Sequence, residues 1–174
     1  MTGMRYQIYR AVFTVEDKTR FLNDLRRIAD DYMTHIILLD ANHVAGREHV
    51  AAALRHAWRS WESGEPIANS FEMEVLLYAA GTRQCHLAGS FGIHPGENQA
   101  YIVICPPIPG AQERLADLVE FVDSDREEEV EIKPAKRKVL AEFFGITPEE
   151  VAVVGEDRFR ELVLERVALL DVYR

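Results

Sequence analysis

The stretch PIANSFEMEVLLYAAGTRQ, Pro66 to Gln84, reads as a helix that is apolar almost all round. Its only charges before the terminal Arg83 are two glutamates, Glu72 and Glu74, near its start. A helix on the outside of a globular protein keeps a polar face toward water. One without such a face belongs inside, with other elements covering every side. Asn69 or Ser70 caps it, the Asn69-x-x-Glu72 spacing resembles a capping box, and Gly81 is the left-handed stop. Thr82 then caps a second short helix that runs to Gly92.

The rest of the chain supplies the covering layers. Upstream, GREHVAAALRHAWRSWESG repeats Val50, Leu54, Ala57, Trp58 and Trp61 on one helical face and ends at Gly64 and Pro66. VEDKTRFLNDLRRIADDY puts Phe21, Leu22, Leu25 and Ile28 at helical spacing. MRYQIYRAVFTV is rich in aromatic and β-branched residues, and HIILLD and AYIVIC are short continuous apolar runs; all three read as strands. Downstream, AQERLADLVEFV reads as a helix with Leu115, Leu118, Val119 and Val122 on one face, and EEEVEI as an edge strand. PAKRKVLAEFFG is a helix with Pro134 near its first position and Gly145 as its stop. TPEEVAVV is capped by Thr147, and EDRFRELVLERVALLDVYR is the final helix. This loose alternation predicts one α/β domain, bordering on α+β, over residues 1–174, with a small mixed sheet packed with several helices.

Composition agrees. In 174 residues, 48% apolar and 28% charged, a core needs no staples. Cys85 and Cys105 are too few for a disulfide framework and lack a CxxC spacing, which fits a reducing, cytoplasmic setting. No leader pattern or membrane-length apolar run is present. The net charge of −9 disfavours uniform attraction to nucleic acid or anionic lipid but leaves room for a local basic patch.

Catalytic motifs are missing. There is no HExxH, GxSxG, P-loop or GxGxxG. His49 and His56, seven residues apart on one helix, stand about 10 Å from each other, too far to share a zinc. Cys85 and His86 are adjacent and do not face each other. We expect no catalytic residue, no metal and no cofactor. Three basic features remain: Arg83 at a helix start, where it opposes the dipole unless an anion compensates; Arg55 and Arg59, one turn apart; and the run Lys133 to Lys138.

The last helix carries an apolar surplus. From Phe159 to Val172 its apolar residues leave no wide polar face, because only Glu165, Arg166 and Asp171 interrupt the last two turns. Such a helix is wedged into the core or covered by a partner, and the expectation is a helix-based protein contact.

EPIANSFEMEVLLYAAGTRQ, with GREHVAAALRHAWRSW before it and ELVLERVALLDV at the end, resembles the kinase-binding subunit of the KEOPS complex, the Cgi/TPRKB family. The most specific part is the spacing of Asn69, Ser70, Met73, Glu74, Leu76, Gly81 and Gln84. The resemblance implies a non-catalytic accessory subunit that binds the small lobe of a Bud-type atypical kinase. Through that kinase it joins the complex that threonylcarbamoylates an adenosine beside the tRNA anticodon. It also implies recruitment of tRNA by its CCA tail. Set against the apolar last helix, it nominates Leu162, Val163, Leu164, Val167 and Leu170 for the kinase. For the tRNA it nominates Asn69, Ser70, Arg83, Gln84, Arg55 and Arg59, groups able to meet phosphates and splayed bases. The alternatives are a homodimeric structural protein using the last helix against itself, and a small cysteine or histidine hydrolase built on Cys85 and His86.

Overall fold

Alternation along each strand divides the apolar residues between the two faces of a sheet. The computed structural model describes residues 3–123 and 132–173. Its strands are β1 (Gln7–Val15), β2 (His35–Asp40), β3 (Gly96–Cys105) and β4 (Glu120–Val122), in the order β2-β3-β1-β4. Its helices are α1 (Lys18–Asp31), α2 (Arg47–Glu62), α3 (Phe71–Ala80), α4 (Cys85–Ala88), α5 (Pro109–Leu115), α6 (Pro134–Phe144), α7 (Pro148–Val154) and α8 (Phe159–Leu169).

On one face Ala11, Phe13, Ile36, Leu38, Ile102 and Ile104 pack under α1 and α5, through Phe21, Leu25, Ile28, Ala111 and Leu115. On the other Ile8, Ile37, Leu39, Tyr101 and Val103 pack under α2, α3 and the end of α8. Both faces are covered, which is why HIILLD and AYIVIC are unbroken apolar runs rather than alternating ones. The mixed α/β reading therefore holds.

The sheet itself, expected to be mixed, pairs antiparallel at each described ladder. β1 and β2 do run the same way, as strand–helix–strand alternation predicts. β3 inserts between them and opposes both, which is the split β-α-β arrangement. Three helices open what would otherwise be the β2–β3 hairpin, and that detour carries α3 onto the sheet. The domain thus falls on the α+β side of the border.

Local readings fare unequally. The helix predicted over AQERLADLVEFV stops at Leu115, and Glu120–Val122 pairs with Arg10–Val12 as β4. A strand edge was available there, and the β-branched and aromatic Val119-Glu120-Phe121-Val122 suits it better than another helical turn. Most of the predicted EEEVEI strand lies outside the described residues. Ser70 rather than Asn69 caps α3, its side chain accepting from the Met73 N–H at 3.2 Å. The four-residue α4 begins after Gln84, with no side-chain cap from Thr82.

α3 is the central helix anticipated from its sequence. Phe71, Val75, Leu77, Tyr78 and Ala79 are buried, and α2, α4, α8 and β2 surround it. Burial of each large apolar side chain contributes roughly 1.5–3 kcal/mol. Glu74 is the exception among these inward groups and is wholly buried. Its carboxylate accepts from Ser60 Oγ at 2.9 Å, Ile67 N–H at 3.0 Å and Ala68 N–H at 2.7 Å. It therefore ties the end of α2 and the 66–68 loop to α3, a structural role that its place near the dipole's positive end does not reveal.

Candidate functional site

The final helix was expected to hold its apolar surplus out for a partner. α8 holds most of it in. Phe159, Leu162 and Val163 pack with Ala45, Leu140 and Ile146, while Val167 and Leu170 join the core over α2 and α3. Leu162, Val163, Val167 and Leu170 are each at most 5% exposed, so four of the five nominated docking residues are enclosed by this chain. The periodicity count was sound, but α6 and α7 cover a flank of α8 that a helix at a domain's end normally leaves open.

What remains outward is a narrower stripe. Leu164 and Leu169 are half-buried, Ala168 is exposed, and beyond the helix Val172 and Tyr173 are 71% and 70% exposed. Leu164 and Ala168 lie one turn apart on the same side of α8, and Val172 follows beyond its end. Sequence reasoning missed Ala168, Leu169, Val172 and Tyr173. The missed signal was the charged pair Glu161 and Glu165, which marks the outward face.

Side-chain hydrogen bonds anchor the helix that carries this stripe. Arg166 spans from α8 to α7, donating to both Glu150 carboxylate oxygens at 2.9 and 2.8 Å, and to the Phe144 carbonyl. At the far end Asp171 accepts from the Tyr78 hydroxyl and from His56 Nδ1 at 2.6 Å. The imidazole stacks on the Tyr78 ring at 5.5 Å. Burial works to raise the Asp171 carboxyl, but the Tyr78 and His56 hydrogen bonds outweigh it and hold it below its ordinary value. Arg59 approaches the same His56 nitrogen at 3.0 Å. Because that nitrogen's proton goes to Asp171, the Arg59 contact is a close approach rather than a second donated bond.

The six residues nominated for RNA do not meet at one point. Asn69 and Ser70 precede α3 while Arg83 and Gln84 follow it, and the ten residues between span about 15 Å. All four are exposed, as are Arg55 and Arg59 on α2. Arg59 reaches the His56–Tyr78 pair near the last turn of α3. Arg83 lies just before a helix of four residues, too short for a useful dipole. The run Lys133 to Lys138 is not a uniform solvated face. Lys136 is half-buried, and desolvation, with Arg10 and Arg160 nearby, pushes its ammonium down to about 8.

The histidines are mostly structural. His49 is buried, its Nδ1 accepting from Ala45 N–H at 2.9 Å and its Nε2 donating to the Ala79 carbonyl at 2.7 Å. His35 pairs with Glu72 at 2.6 Å, and His43 and His94 lie 3.0 and 3.8 Å from the buried Asp40. Among the described residues no group of three His, Cys, Asp or Glu could hold a metal ion. Cys85 and His86 are exposed neighbours on α4, pointing about 100° apart. Cys105 is buried, and desolvation pushes its thiol up to about 11. No described helix is long and apolar enough to cross a membrane.

The family model for the kinase binding protein CGI-121 matches residues 14–171, from β1 through Asp171. The chain belongs to the CGI-121 family. Within it, the chain is similar to the regulatory protein Cgi121 of Methanocaldococcus jannaschii. The two are 30% identical over 136 residues, which covers 78% of this chain and 82% of that protein. The family match takes in the Ser70 cap, the Gly81 turn and Leu164, Ala168 and Leu169 of the outward stripe.

Proposed function

We propose that this protein is a non-catalytic accessory subunit of the KEOPS tRNA threonylcarbamoyladenosine complex, and that it docks on the small lobe of the Bud-type kinase. Membership of a kinase-binding family supports the partner. The observation that carries the contact is the outward stripe of Leu164, Ala168, Leu169, Val172 and Tyr173, apolar and anchored at Arg166 and Asp171. The enclosed Leu162, Val163, Val167 and Leu170 act behind it by fixing the helix. In this reading the kinase completes the burial that α6 and α7 leave unfinished.

Recruitment of tRNA by its CCA tail is the second part of the reading. Exposed Arg83 and Gln84 beyond one end of α3, Asn69 and Ser70 at the other, and Arg55 and Arg59 on α2 are the groups available to it. With a net charge of −9, tRNA contact stays local to such a patch.

The test is co-migration on size-exclusion chromatography with the purified Bud-type kinase. The wild-type chain forms a one-to-one complex, and Ala168→Glu with Val172→Glu, both at exposed positions outside the core, abolishes it. An unchanged complex would remove α8 from the interface. In a parallel gel shift, tRNA lacking its CCA end binds less well, and Arg83→Glu weakens binding of intact tRNA. Equal binding of trimmed and intact tRNA ends the second part of the proposal.

A further inference from the structure

β2 is an edge strand, and its free edge lies along a groove. The Ala41 N–H donates to the Gln99 carbonyl at 2.8 Å. By antiparallel alternation Ile37 and Leu39 exchange bonds with β3, while Ile36 and Leu38 turn their N–H and C=O groups away from the sheet. No described residue bonds to those outward groups. The space beside them is a cavity of about 550 Å³. Leu22 and Leu25 of α1, with Ile93, form one wall, and Met73 and Leu76 of α3 form the other.

An edge with paired donors and acceptors at two-residue spacing is a template for one more strand. The repeat, about 6.8 Å, is that of an extended peptide backbone. The two apolar walls stand on opposite sides of the sheet plane, where a strand's successive side chains point. A second copy of this chain offering its own β2 is a poor occupant. Its own β2 edge is equally recessed between helices, and two recessed edges cannot touch.

Charge narrows the occupant. Lys18, Leu22 and Arg26 all line the groove and recur every four residues along α1. That spacing, about 6 Å, is close to the separation of alternate residues in a strand. On the opposite wall Glu72 pairs with His35 at 2.6 Å, and Arg26 also acts on it electrostatically across the groove. Asp30 lies one turn beyond Arg26, at the end of the cationic row. We infer that the β2 edge accepts an extended segment of a partner protein as a fifth strand, its side chains alternating between the α3 wall, apolar, and the α1 wall, acidic–apolar–acidic.

The probe is a capped peptide, Val-Glu-Val-Leu-Val-Glu-Val, titrated into the isotope-labelled full chain and followed by amide chemical shifts. Saturable shifts centred on Ile36 and Leu38 are expected. N-methylation of one alternate set of peptide amides weakens binding by at least about tenfold, while methylation of the other set does not. The exposed-surface variant Leu22→Glu weakens the parent peptide. Lys18→Glu with Arg26→Glu shifts preference to the lysine-substituted peptide. Absence of binding, equal binding by both methylated sets, or shifts centred away from β2 overturns the inference. So does concentration-dependent shifting at β2 without peptide, or saturation of the same amides by a single-stranded RNA hexamer that the peptide does not match.

Discussion

Gly81 illustrates how one residue connects local geometry to the proposed surface. Its φ of 62° lies in the left-handed region, and a Cβ there would stand 3.1 Å from the Arg166 carbonyl oxygen on α8. The turn that ends α3 is thus also the floor on which α8 rests. Gly81→Ala is expected to cost at least about 2 kcal/mol, the backbone penalty plus displacement of α8, in equilibrium denaturation. Glu74→Ala leaves Ser60 Oγ and two loop N–H groups without their acceptor. A loss of about 3 kcal/mol or more is expected in the same assay. His49 sets a pH dependence. Burial pushes its imidazole down to about 4, against 6.5 in the unfolded chain. The unfolded state therefore binds the extra proton, and His49's contribution is complete above pH 6.5 and lost as pH falls toward 4. The total is about 3 kcal/mol. Denaturant unfolding at pH 7 and pH 4.5 checks this: His49→Gln is less stable than wild type at pH 7 but loses less between the two.

At the scale of elements, α8 separates what a pattern can and cannot reveal. Its surplus of apolar residues was plain from sequence, and so was the conclusion that something covers it. What covers it was not. α6 and α7 are short, each opens with a proline, and neither has an apolar face long enough to announce a destination. Yet Leu140, Ile146 and the Arg166–Glu150 pair bring them against α8. The consequence is measurable. Val163→Glu or Val167→Glu buries an unpaired carboxylate and is expected to unfold the chain or lower its stability by more than about 3 kcal/mol. Ala168→Glu, at an exposed position, leaves thermal stability nearly unchanged, and circular dichroism melts of the three variants distinguish these outcomes. The misread helix after Leu115 has the same origin. Val119 and Val122 satisfy helical spacing, but an open edge at β1 was available, and tertiary pairing overrode a local pattern. By contrast α3, with its Ser70 cap, apolar circumference and Gly81 stop, was legible because every signal lay within its own residues.

For the molecule as a whole, the sheet order explains the division of labour. With β3 between β1 and β2, helices cover both sheet faces, and among the described residues β2 and β4 are the edges, with β2 beside a groove. The spread of the RNA-contact candidates has a cause also visible at this scale: residues close in the sequence motif straddle a helix about 15 Å long. Family membership supports a kinase as partner, and the outward α8 stripe is where the proposed docking rests. Hydrogen exchange of this chain, alone and saturated with the Bud-type kinase, tests that most directly. Slowed exchange concentrated in residues 164–173, with α1 and the β2 edge unchanged, is the predicted result. Protection elsewhere with 164–173 unaltered contradicts it.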